Sequence, residues 1–105
     1  MHLIDTHCHI HSADYKLDSN EVYQRAFGDG VEKIICVGTD VADSKLATEF
    51  ASKNEGVFAS VGVHPHEAKH GIEGLKELAS KSKVVAIGEI GLDYFYEHSD
   101  RQTQI

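Results

Sequence analysis

Four apolar, β-branched segments recur along the chain, at Leu3–Cys8, Lys33–Gly38, Val57–Val63 and Val84–Ile90. They begin at positions 3, 33, 57 and 84, so the steps between them are 30, 24 and 27 residues. A step of that length holds a strand, a loop, a helix and a return loop, which is the βαβ unit. The segments are nearly continuous in apolar character, as parallel strands are when both faces are covered.

Helical patterns fill the intervals. Asp18 stands before the first, with Glu21 three residues on in a capping-box arrangement. Val22/Ala26 and Tyr23/Phe27 then form i,i+4 pairs, and Gly28 and Gly30 end the element. In the second, Asp43 or Ser44 is the expected cap, Leu46/Phe50 and Ala47/Ala51 supply the apolar stripe, and Gly56 closes it. Ile72, Leu75, Leu78 and Ala79 mark a third, whose start is weakened by Gly74. Ser99-Asp100-Arg101-Gln102 reads as a capping box opening a fourth, yet only Thr103, Gln104 and Ile105 follow. So few residues do not offset the cost of nucleating a helix, and the expectation is a fragment that stops inside an element.

Four sequential βα units are half of a TIM-type (β/α)8 barrel, which takes about 250 residues. The expected fold class is therefore α/β, with residues 1–105 a single, truncated domain covering about the first four units of such a barrel. A small doubly wound open sheet competes, but its glycine-rich phosphate loop after the first strand is absent.

Composition narrows the function classes. No apolar run approaches the roughly 18 residues of a membrane span, and Met1-His2-Leu3-Ile4 leads into a strand without a signal-peptide pattern. The expectation is a cytoplasmic protein with no membrane partner. Ten basic residues against 17 acidic give a net charge of −7, and the lysines do not cluster. A protein that holds nucleic acid by charge alone is thereby excluded, and a phosphate-bearing substrate calls for bound divalent metal. Cys8 and Cys36 each lie in a predicted strand without a CxxC partner and read as small buried thiols.

The chemistry gathers at the strand ends. In Asp5-Thr6-His7-Cys8-His9, strand alternation sends His7 and His9 to one face and Cys8 to the other. Two imidazoles about 7 Å apart along a strand can converge on one metal ion, each nitrogen bonding at about 2.1 Å. Asp5 shares their parity and is placed beneath them as an acceptor. Glu89 follows the apolar run Val84-Val85-Ala86-Ile87 between Gly88 and Gly91. Read plainly it is a strand terminus meeting solvent. Read as a ligand it is the residue able to bridge two cations, because a carboxylate has two oxygens to offer. His64, in Gly62-Val63-His64-Pro65-His66, lies at the same end of the sheet, where it is either a turn residue or a substrate contact. His66, His70 and His98 read as solvated surface residues, while His11 and Asp40 stay open between structural and site roles.

Together, Asp5-Thr6-His7-Cys8-His9, Gly62-Val63-His64-Pro65-His66 and Gly88-Glu89-Ile90-Gly91-Leu92-Asp93-Tyr94 resemble the TatD family of metal-dependent deoxyribonucleases. The resemblance runs from Leu3 to Arg101-Gln102. It implies a (β/α)8 metallohydrolase that cleaves phosphodiester bonds in DNA with divalent metal, two ions (Mg, Mn or Zn) per complete site. By position it makes His7 and His9 the first-strand metal ligands and Glu89 the fourth-strand carboxylate ligand. It sets His64 near the substrate and Asp93 on the flank of the site, and it leaves further ligands to later strands. Two divalent ions against one carboxylate leave a local charge of about +3, which holds a phosphate despite the acidic whole.

Two rivals stand beside this reading. One is an amidohydrolase cutting a C–N bond, since that class also carries HxH on a first strand. The other is a non-catalytic fragment or an assembly subunit. The free edges of a four-stranded piece also raise the expectation of self-association, with a two-fold pair closing to eight strands as its most complete form.

Overall fold

The computed structural model describes every residue from Met1 to Ile105. Strands β1 (Leu3–Cys8), β2 (Val31–Val37), β3 (Val57–Val61) and β4 (Val84–Ile87) form one parallel sheet in the order β1-β2-β3-β4. Helices α1 (Ser19–Gly28), α2 (Val41–Lys53) and α3 (Leu75–Ala79) connect successive strands, and α4 (Arg101–Gln104) follows the last. The sequential parallel order with a helix in every crossover is the βα-barrel arrangement, seen here over four units. No helix is long and apolar enough to cross a membrane.

The core lies between the sheet and its helices. Ile34 and Cys36 of β2 and Val57 and Ala59 of β3 share the face that α1 and α2 cover. Ala47 and Ala51 meet them from α2, their small side chains bringing the helix close to the strands, and Tyr23 closes the cluster from α1. Cys8 and Cys36 are register partners, with their sulfurs 3.8 Å apart as free thiols. Cys8 beside it, together with burial, pushes the Cys36 thiol up. At the sheet's free edges Leu3 and Ile4 of β1 and Val85 and Ile87 of β4 remain exposed.

Several boundaries differ from the sequence pattern. The third and fourth strands stop at Val61 and Ile87, before the apolar runs end. Gly62 and Gly88 follow, and Glu89 turns into the left-handed region at φ 49°, which no strand continues through. The α2 cap is Asp40, whose carboxylate accepts from Asp43 N at 2.7 Å. Asp43 and Ser44 lie inside the helix instead: Asp43 turns back to accept from the Thr39 amide, and Ser44 is buried against Gly62. That helix ends at Lys53, ahead of Gly56, with the Asn54 side chain donating to Phe50 O at 3.0 Å.

The third helical pattern covers only Leu75–Ala79; Ile72 is exposed outside it, and a 3-10 helix over Pro65–His70 precedes it. The final helix is capped by Asp100, not Ser99. Ser99 is buried, donating to His66 O and accepting from Lys69 N. Short as it is, α4 forms because Gln104 donates to Asp93 O and Ser99 O and accepts from Asp93 N. Tertiary bonds there replace the length that nucleation otherwise requires.

Candidate metal centre

At the C-terminal edge of the sheet, His7 and His9 leave β1 beside the loop that leaves β4. Their Nε2 atoms stand 3.2 Å apart. Glu89 faces both, with Oε1 at 3.6 Å from His7 Nε2 and Oε2 at 3.6 Å from His9 Nε2. Two ligands bonded at about 2.1 Å to one ion at the tetrahedral angle are themselves about 3.4 Å apart. The three separations lie close to that value, though the two to Glu89 run to different oxygens; with one donor atom from each residue, the three atoms lie within 4.8 Å of one another, near enough to share an ion.

Two further observations fit a cation here. Glu89 Oε2 is buried without a hydrogen-bond partner, which is costly for a carboxylate oxygen. The second nitrogen of His9 is occupied: Nδ1 donates to Val37 O at 2.8 Å, fixing the ring and leaving Nε2 with its lone pair toward Glu89. The same carbonyl-to-imidazole arrangement orients metal-ligating histidines generally. Asp5 takes a different part from the one its parity implied. Its Oδ1 accepts from the His7 amide at 3.0 Å and steadies the strand end rather than either ring.

The local backbone explains how Glu89 reaches β1. A Cβ at Gly62 would lie 1.6 Å from Gly88 O, and one at Gly88 would lie 2.5 Å from Ser60 Oγ. The ends of β3 and β4 therefore approach more closely than side chains allow. Beyond that contact, Glu89 holds a conformation unusual for a residue with a Cβ, a strain that clusters where geometry serves function.

The remaining sequence candidates divide. His64 does not join the three converging donors; it heads the 3-10 helix, its Nδ1 accepting from His66 N at 3.1 Å. Nε2 is thereby left as the free nitrogen of that ring. Asp93 also lies outside the group. Its Oδ1 accepts from Phe95 N and Tyr96 N, and its Oδ2 bonds His66 Nε2. Partial burial raises its pKa, but the Tyr96 amide, His66 and the Phe95 amide together hold the carboxyl below the usual range.

His66 is accordingly not a solvated surface residue. Its ring sits among those of His64 at 4.4 Å, His98 at 4.5 Å and Tyr96 at 5.9 Å between centroids. His98 remains exposed, and His70 pairs at the surface with Glu67. His11 resolves to a structural role, its side chain 0% exposed and Nε2 bonded to Asp43 Oδ2 at 3.1 Å. Burial works against the Asp43 carboxylate, yet the His11 bond and charge and two bonds from Thr39 hold its pKa below the ordinary value. Asp40 is a helix cap.

Sequence reasoning did not find the His66–Asp93 tie or the Val37 carbonyl. The first joins residues 27 apart, and only their shared position just beyond strand ends hinted at it. The second is backbone and carries no side-chain signal.

Comparison with known proteins finds relatives of the chain. The pattern described as TatD related DNase matches residues 4–105. The metal-dependent hydrolase YabD of Bacillus subtilis, itself uncharacterized, is 38% identical over 97% of this chain and 42% of its own length. The 3'-5' ssDNA/RNA exonuclease TatD of Cronobacter sakazakii is 36% identical over 88% of this chain and 36% of its own. Among solved structures, YjjV, a TatD homologue from Escherichia coli, superposes with a TM-score of 0.78 at 31% identity, covering 97% of this chain and 42% of that one. The chain thus spans about two-fifths of the length of the relatives it matches.

Proposed function

The chain belongs to the family of TatD-related DNases, and from that premise we propose that it forms the opening half of a (β/α)8 barrel hydrolase that cuts phosphodiester bonds in DNA in the cytoplasm. The observation that carries this reading is the convergence of His7, His9 and Glu89, with one Glu89 oxygen buried and unanswered.

In this reading His7 Nε2, His9 Nε2 and the Glu89 carboxylate hold divalent metal, two ions in the complete site, drawn from Mg, Mn or Zn. Nitrogen and carboxylate donors suit those metals. When bound, the ions would supply positive charge for the phosphate and lower the pKa of water at the site. The chain's own residues set the stage. Val37 fixes the His9 tautomer, so that a lone pair and not an N–H faces the centre. Glu89, 23% exposed at its side chain, presents two oxygens in different directions and is suited to bridge. It is also the only acid among these three donors, so ions held by them would keep positive charge to offer an anionic strand on an otherwise acidic chain. His64 contributes a free Nε2 that contacts the substrate phosphate, and Asp93 flanks the site by steadying the loop after Glu89.

The discriminating experiment sets single-stranded DNA beside a panel of amide substrates, with the chain carried in its complete barrel and supplied with Mn or Mg. Metal-dependent release of nucleotides, with the amides untouched, is expected. Cleavage of the amides with DNA left intact would instead establish C–N hydrolysis.

A further inference from the structure

We infer that Asp43 and His11 are positioning residues of the metal centre, a hydrogen-bonded pair that fixes the segments carrying His9 and His64. The inference rests on the reading of His7, His9 and Glu89 as metal ligands and adds what holds one of them in register.

Asp43 lies in the first turn of α2, and its Oδ2 receives three donors. Thr39 N stands at 3.0 Å, His11 Nε2 at 3.1 Å and Thr39 Oγ1 at 3.2 Å. A carboxylate only accepts, so the N–H of the His11 ring that meets it is on Nε2. The other ring nitrogen, Nδ1, is buried without a partner, and the side chain is 0% exposed. Asp43 is therefore the sole polar anchor of a buried imidazole.

Each group bonded to Asp43 leads to the site. His11 follows His9 by two residues, and Ser12 N closes the turn between them by donating to His9 O at 3.0 Å. The two rings lie 6.2 Å apart between centroids. Thr39 follows Val37 by two residues, and Val37 O is the acceptor of the His9 Nδ1 bond. Asp43 thus reaches His9 from both sides, along its own segment through His11 and through its carbonyl partner by way of Thr39. Thr39 O also accepts from His64 N at 2.7 Å, which ties the segment after β3 to the same carboxylate. The neighbouring Ser44 hydroxyl is buried and bonds both N and O of Gly62 at 3.2 Å. One turn of helix is in this way bonded to the chain beyond β1, β2 and β3.

Removing the carboxylate leaves an imidazole buried with neither nitrogen bonded. That state is costly, so the ring turns out toward water and takes the turn after His9 with it. Thr39, released in the same step, loosens the segment that holds the Val37 carbonyl. His9 then loses the bond that fixes its tautomer. Groups that orient a ligating histidine from behind are generally worth about tenfold to a hundredfold in metal affinity. Every partner in the network lies in this chain, so the argument does not depend on what covers the edges of the sheet.

The test uses the chain in its complete barrel, isotope-labelled at histidine nitrogen and freed of metal with EDTA. Long-range proton–nitrogen NMR reads the His9 ring, which in the parent should be a single Nδ1–H tautomer. Asp43→Ala and His11→Ala should each bring its two nitrogens toward the tautomer average, and Zn should then bind at least about tenfold more weakly. Asp43→Asn keeps an acceptor oxygen in place and should retain the parent's His9 signal and its Zn affinity within a fewfold. Ala51→Gly loosens α2 inside the core, away from these loops, and should lower the melting temperature with neither readout changed. Alanine variants whose His9 tautomer matches the parent's would overturn the inference, as would an Ala51→Gly protein that shifts both readouts as far as they do. A parent that takes up no Zn, but whose His9 tautomer still depends on Asp43, would refute the metal reading and uphold the positioning.

Discussion

Gly62→Ala tests the structural cause of the metal centre without touching a ligand. The new Cβ would lie 1.6 Å from Gly88 O and 2.8 Å from Gly88 C, against a floor of 3.0 Å that real Cβ contacts observe. Both atoms are backbone, so no rotamer relieves the clash and the end of β4 must move away from β3. The hydrogen bond from Gly88 N to Val61 O, 3.0 Å long, strains in the same movement. Overpacking of this kind costs about 1–3 kcal/mol. Glu89 is the next residue, and its oxygens stand 3.6 Å from the two imidazole nitrogens. A displacement of the size the clash demands takes the carboxylate out of reach of an ion held by His7 and His9. Metal affinity should therefore fall at least tenfold, alongside a lower melting temperature, read by titration calorimetry and thermal unfolding. Gly88→Ala supplies the internal control, because its nearest neighbour is the movable Ser60 hydroxyl at 2.5 Å. The milder effect belongs to Gly88→Ala. A Gly62→Ala protein with the parent's melting temperature and metal affinity, or a Gly88→Ala protein more severely affected than it, would refute the close-approach argument.

Other predictions follow from particular contacts. In the complete barrel, Glu89→Ala should abolish nearly all metal-dependent phosphodiesterase activity; turnover within a fewfold of the parent would reduce Glu89 to a strand terminus. Asp43 has a folded pKa below its ordinary value, so the stability it contributes is full above about pH 4 and is lost as pH falls through the folded pKa. Asp43→Asn should accordingly unfold at lower temperature than the parent at neutral pH, with the gap closing under acid; a gap constant across the acid limb would count against the His11–Asp43 pair. The edge strands β1 and β4 leave backbone groups unpaired, and light scattering on this chain should show concentration-dependent association. A clean monomer with cooperative unfolding would contradict that.

Much of the fold was legible because the signals were local. The spacing of four apolar segments gave the parallel order, and Ala47/Ala51 marked the face of α2 that meets the sheet; of the Tyr23/Phe27 pair only Tyr23 does so, Phe27 being exposed. The His7–His9 pair could be read from strand alternation, and Glu89 from its position after an apolar run. Features that depend on contacts far along the chain were hidden. Asp40 outcompeted Asp43 as the α2 cap because Asp43 is drawn to His11 and Thr39, 32 and four residues away. His66 looked like a surface histidine because its carboxylate partner lies 27 residues on, and Ser99 looked like a cap because its bonds to His66 and Lys69 leave no trace in a pattern. The apolar runs overreached at Gly62 and Gly88 because hydropathy carries no record of a close backbone approach.

The account's central claim is that His7, His9 and Glu89 form one metal centre, and calorimetric titration of the metal-stripped chain with Zn or Mn tests it most directly. The parent should bind with a defined stoichiometry, and His7→Ala, His9→Ala and Glu89→Gln should each weaken that binding by at least tenfold while keeping the parent's helical signal in circular dichroism. Binding that is unchanged in all three variants would contradict the claim.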